Sequence, residues 1–182
     1  MDTSSQYARV AGDFDRVVSG VTDWSAPSPC DEWDARQVAA HVVDVTRLFL
    51  ARLDGSEPPT LSPEEDVVAA WQAARADLER ALAESPDQPI DSVGGKQPFA
   101  DVIGGVLCAD TLLHTWDLAR ASGQDETLDL TGVSAAMAFL SPHADLLRRP
   151  GGFGPEVTVP ADASAQDRLI AFAGRDPALQ LG

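Results

Sequence analysis

Asp110 and His114, four positions apart in the run ADTLLHTWDLARASG, are the residues of this chain whose types and spacing could do chemistry. On a helix such a pair shares a face, with Cβ atoms about 5–6 Å apart, so the carboxylate and the imidazole can converge on one cation. His41, in WDARQVAAHVVDVTRLFLARL, supplies a second imidazole from a second amphipathic segment. The chain has three histidines, and two of them fall in this pattern. Two imidazoles and one carboxylate form a three-ligand set with an open position, as a catalytic divalent metal requires and a structural zinc does not. Asp110 lies in the middle of an apolar stripe, where an unpaired carboxylate is severely unfavourable and a cation is one of few partners able to offset the cost. The same spacing also fits a hydrogen bond along a helix, with His41 a satisfied core histidine. The residues alone leave that choice open.

The elements that must position these side chains follow from hydrophobic period and capping signals. Tyr7, Val10, Phe14, Val17, Val18 and Val21 recur at intervals of three and four, which predicts a helix over 3–20. The run SAPSPCDEW, with Pro27 and Pro29, reads as a loop. Asp34 followed by Gln37 is a capping-box variant that opens a helix over 35–54, its stripe carrying His41 inward and Gly55 placed to cap it. Ser62-Pro63-Glu64-Glu65 predicts a helix start at 63, running to 84 and ended by Ser85-Pro86. Polar, Gly-rich sequence to Gln97 reads as a surface loop. A helix over 98–121 then carries Asp110 and His114, weakened by Gly104-Gly105 unless close packing accounts for them. Residues 131–149 read as a helix bent or broken at Pro142. Beyond it lie a short extended piece, Val157-Thr158-Val159, and a last helix from Ser164 to Phe172 capped at Gly174. The expected organisation is all-α, with a helical body over 1–149 and an appendage over 150–182 too short to bury a core of its own.

Composition excludes several partners. At 182 residues the chain suits one domain that buries about 70% of its unfolded surface. A formal net charge of −16 argues against a polyanionic ligand, because displacing counterions from nucleic acid needs clustered Lys and Arg. No apolar stretch approaches the roughly 20 residues of a membrane span, and MDTSSQYARV lacks the marks of a signal peptide, so a cytoplasmic protein is expected. A lasting bridge between Cys30 and Cys108 is not expected there.

The other candidates are weaker. Nothing near Cys30 in sequence supplies a positive charge to activate its thiol. Cys108 and Trp116 fall on the side of their helix away from the Asp110–His114 pair, which suits packing. His143, beside Pro142, reads as a surface or hinge residue. No G-x-S-x-G elbow, Walker A loop or G-x-G-x-x-G run is present, so acyl-enzyme and phosphate-cradling chemistries find no support.

The blocks PSPCDEWDARQVAAHVV and DTLLHTWDLARASGQ, followed by GGFGPEVTVPADASAQDRLIAFAGRDP, resemble the DinB and YfiT-like metalloenzymes. Within that superfamily the likeness is to the branch of mycothiol-dependent maleylpyruvate isomerase, and to its metal-binding subfamily of mostly unassigned reaction. The resemblance implies a DinB-like four-helix bundle whose divalent metal, zinc or nickel, is held by His41, Asp110 and His114. Asp110 stands where relatives carry His or Glu. One methylene shorter than Glu, it could bind through a water, coordinate only after a small helix shift, or leave the site weak. The resemblance further implies a low-molecular-weight thiol such as mycothiol, activated at the open metal position to act on an electrophilic substrate, with Asp117 orienting an imidazole. Maleylpyruvate isomerisation itself is not implied, because no equivalent of that enzyme's larger C-terminal domain is evident. The competing expectation is a noncatalytic metal or small-molecule binding module on the same bundle, with a homodimer interface.

Overall fold

The computed structural model describes residues 2–30, 33–92, 95–148 and 152–179. α1 (Thr3–Ser19) opens on Asp2, whose carboxylate accepts the Ser5 amide, and it buries Tyr7, Val10, Phe14, Val17 and Val18 as the period predicts. α2 (Ala35–Asp54) has the full capping box between Asp34 and Gln37 and ends on Gly55 at φ 75°. That left-handed angle is why glycine stands there.

α3 (Val67–Glu84) begins one turn later than the Ser62 signal predicts. The Glu65 carboxylate does accept the Ser62 amide at 2.7 Å, but this closes a turn, and Asp66 caps the helix by accepting from Val68 and Ala69. Arg36 fixes the turn from outside by donating to the carbonyls of Ser62, Pro63 and Glu65. The stretch expected as a surface loop contains a hairpin, β1 (Pro89–Ser92) antiparallel to β2 (Gly95–Pro98), so the fold is mostly helical rather than all-α. Of its residues only Ile90 is buried.

The helix expected over 98–121 is one rod in three parts: α4 (Phe99–Val102), a π-helical stretch Ile103–Leu107, and α5 (Cys108–Ala121). The stretch coincides with Gly104-Gly105, and both glycines are tightly approached. A methyl group on Gly105 would run into the Phe139 ring, and one on Gly104 would press on Thr3. The Gly104 carbonyl accepts from the Gln6 side chain at 2.9 Å, which ties the π-helical stretch to α1. α6 (Leu130–Leu140) passes through a 3₁₀ turn at Ser141–His143 into α7 (Ala144–Leu147), so the break at Pro142 is real. The end of that helix at 149 and the boundary expected at 149–150 lie outside the described residues. Val157 to Val159 forms no strand; the Val157 amide instead donates to Ala171 of α8 (Ala165–Phe172).

α1 packs on α5 and α3, and α2 packs on the same two helices. α6 joins α5 to α8. α5 therefore lies between two apolar clusters, one with α1, α2 and α3, the other with α6 and α8. Between Leu107 and Ala119 every residue is buried except Asp110, which is intermediate. A helix enclosed on nearly all sides thus opens at one carboxylate.

Candidate metal centre

α2 brings His41 and α5 brings Asp110 and His114 to the floor of a cavity of about 660 Å3. His41 Nε2 lies 3.3 Å and His114 Nε2 3.7 Å from the same oxygen, Asp110 Oδ1. The ligand atoms of the three residues all fall within 4.8 Å of one another. Donors bound tetrahedrally to a metal at about 2.1 Å sit about 3.4 Å apart, close to these separations. The other oxygen, Asp110 Oδ2, is buried without a hydrogen-bond partner. Residue types, spacing and an orphaned carboxylate oxygen thus suit a divalent cation.

The electrostatics follow from the contacts. Burial works against charge on Asp110, but His114 and His41 outweigh it and hold the carboxyl below the usual range. Burial likewise works against the His41 imidazolium, yet the Asp110 hydrogen bond and charge raise its pKa above the ordinary value. Trp33 lies over both imidazoles, its ring centroid 5.0 Å from His41 and 5.8 Å from His114.

Behind His114 lies a second layer. His114 Nδ1 is 2.9 Å from Asp117 Oδ2, and Asp117 is completely buried. Arg175 reaches Asp117 from beyond α8, Nε donating to Oδ1 at 3.1 Å and Nη2 to Oδ2 at 2.8 Å. Against the cost of burial, Arg175 and His114 hold Asp117 far below the usual carboxylate range. An ionised carboxylate only accepts, so His114 Nδ1 carries the proton and Nε2 faces Asp110. Cys30 joins this layer: its thiol donates to Asp117 Oδ2 at 3.2 Å and its sulfur accepts from Arg175 at 3.3 Å. Burial, with the Asp117 charge next, pushes the thiol up to about 12.

The sequence reading of Cys30 found no cation because Arg175 is 145 positions away, in a tail block that the resemblance covers without giving Arg175 a role. Arg175 and Trp33 are the site residues that reasoning from sequence missed. Cys30, His114 and Asp117 also lie within ligand distance of one another, but Cys30 and Asp117 are already paired with Arg175, and a metal ion there would face that guanidinium. Cys108 is buried and free, Trp116 is buried beneath the Arg120 guanidinium, and His143 is exposed with Nδ1 2.9 Å from the Phe139 carbonyl oxygen.

A mostly helical protein in which an imidazole from α2 meets an imidazole and a carboxylate on the central helix α5 is the class that fold and site define. Residues 7–119 match the mycothiol maleylpyruvate isomerase N-terminal domain family, and the chain belongs to that family. Uncharacterized proteins from two strains of Mycobacterium tuberculosis are each 32% identical to it over 190 residues, covering 96% of this chain and 98% of the relative. No solved structure matches it. Among the described residues, no helix is long and apolar enough to cross a membrane.

Proposed function

We propose that the protein is a cytosolic, metal-dependent enzyme that activates a low-molecular-weight thiol of the mycothiol type, as an S-transferase or an isomerase-like catalyst. The observation that carries this reading is the convergence of His41, Asp110 and His114 on the cavity floor, with Asp110 Oδ2 buried and unpartnered. α1, α2, α3 and the α4–α5 rod are then the family's four-helix bundle, and residues 150–182 are the appendage whose Arg175 completes the site. Zinc or nickel suits the mixed imidazole and carboxylate set. A divalent ion there supplies Lewis acidity that brings a thiol to its thiolate form near neutral pH.

The chain's own side chains do the rest. His41, Asp110 and His114 would hold the ion, the facing nitrogens of the two histidines lying 3.3 and 3.7 Å from one Asp110 oxygen. Asp117 accepts a hydrogen bond from His114 Nδ1, which fixes the tautomer and leaves Nε2 facing Asp110 as the atom that would ligate. Arg175 keeps Asp117 charged and immobile. Trp33 covers the imidazoles and limits water. Cys30, its pKa pushed up to about 12, stays a thiol, so the nucleophilic sulfur comes from outside. The cavity, about 660 Å3, falls in the range of small-molecule sites.

Turnover of mycothiol with a panel of electrophiles tests the reading. Conjugation or isomerisation by metal-loaded protein, above that of His41→Ala, is expected. Bound metal with no turnover above that variant would leave a noncatalytic binding module in its place.

A further inference from the structure

A second chamber, of about 260 Å3, opens on the α6 side of the metal centre. Asp110, His114, Leu147, Phe153 and Arg175 border both spaces. Beyond that border the inner walls are apolar, Val102, Val106 and Leu113 from the α4–α5 rod facing Phe139 and Leu140 from α6, while the polar Ser92, Gln97 and Asp101, half-buried or exposed, line its solvent side. One wall depends on Gly105, whose missing side chain lets the Phe139 ring lie against the rod.

The polar groups at the inner end of this chamber are committed elsewhere. Arg175 is spent on Asp117, Cys30 and the Ala173 carbonyl, and His114 Nδ1 on Asp117. His143 Nδ1, at the mouth, lies 2.9 Å from the Phe139 carbonyl oxygen. What remains facing inward is hydrocarbon, plus the Asp110 and His114 edge that belongs to the metal centre. A charged occupant would lose its hydration here with little to replace it. An uncharged ring would not. A dry cavity of about 150 Å3 lined by Leu, Ile and Phe accepts benzene, so about 260 Å3 has room for a substituted or bicyclic ring.

We propose that this chamber receives the uncharged, apolar part of a second substrate, an aromatic or branched aliphatic group. The hydrophilic thiol occupies the larger cavity, and the two meet at Asp110 and His114. That the occupant is a co-substrate rests on the thiol-activating reading above; that it is apolar and neutral rests on the walls. Leu146, 57% exposed, stands at the mouth, where an apolar ligand would cover it.

The chain's three histidines make the test direct, because His41 borders the larger cavity alone, His143 the second chamber alone, and His114 both. 1-Fluoronaphthalene is titrated into the full chain, stripped of metal by a chelator, while fluorine NMR follows the probe and ring resonances follow the histidines. Saturable binding that shifts His114 and His143 and leaves His41 in place is expected. Val106→Phe fills the chamber, and Leu146→Glu puts a charge at its mouth on a side chain exposed enough to tolerate exchange. Each should weaken the probe by about tenfold or more. A probe that shifts His41, or that binds both variants as tightly as the native chain, overturns the assignment. Probe binding that persists in a protein unable to take up metal supports the chamber while removing the thiol-activating reading. Metal uptake without probe binding overturns the chamber alone.

Discussion

Two turns of α5 carry a carboxylate each, and the two are used in opposite ways. Asp110 keeps a quarter of its side chain exposed, touches two imidazoles through one oxygen, and leaves the other oxygen without a partner. Asp117 is wholly buried, and both its oxygens are taken up by Arg175, with His114 and Cys30 sharing one. A satisfied carboxylate is scaffolding, and one that ends in an unpartnered buried oxygen is built to receive something. The sequence puts an aspartate at both positions. Only their surroundings separate the part that would bind from the part that holds.

The largest expected effect breaks the scaffolding. Asp117→Ala leaves the Arg175 guanidinium buried without its partner and should cost about 3–5 kcal/mol in urea unfolding. Asp110→Ala, which removes a group already half unsatisfied, should cost less than about 1.5 kcal/mol. Equal losses at the two sites would erase the distinction. Next in size is Asp117→Asn, which keeps the shape but weakens the hold on His114; calorimetric metal titration should show affinity down by about 10–100-fold. Gly105→Ala forces Phe139 off the rod and should lower stability by about 1–3 kcal/mol without changing metal content, a contrast readable by thermal melts beside metal analysis.

The smallest effect near neutrality is the pH response, and its pH window differs between the metal ligands and Asp117. Imidazole must be neutral to coordinate, and the His41 pKa is raised. Proton competition therefore begins above the ordinary histidine value of about 6.5, and metal affinity should fall steadily from pH 7.5 to 5. The Asp117 pKa is depressed, so the stability its pairing contributes is complete above the unfolded value of about 3.9 and is lost only as the pH falls below it. Metal-free protein should keep that contribution throughout the range in which metal is lost. Calorimetry and unfolding curves at matched pH check both halves.

What could be read from sequence was whatever depends on neighbours along the chain. The stripe of α1, the Asp34–Gln37 box, the Gly55 cap, and the shared face of Asp110 and His114 are local, and each stands in the structure. The His41 contact, 69 positions from Asp110, follows from no spacing rule; the α2 stripe turned His41 inward, and the family resemblance named it as a ligand beside Asp110. The hairpin escaped because its strands are four residues each and nearly all exposed, so they show no alternation. The π-helical stretch escaped because glycines announce weakness, not the Phe139 ring that uses it. α3 starts late because Asp66 offers a second cap that holds two amides. Arg175 and Cys30 meet only through tertiary packing, and no spacing rule spans 145 positions.

The central claim is that His41, Asp110 and His114 hold one metal ion while Cys30 and Asp117 stand behind it. Metal analysis of untagged protein tests this most directly. About one divalent ion per chain is expected, lost in His41→Ala and in His114→Ala and retained in Cys30→Ser. Stoichiometric metal that survives both histidine substitutions, or that disappears with Cys30→Ser, would contradict the account.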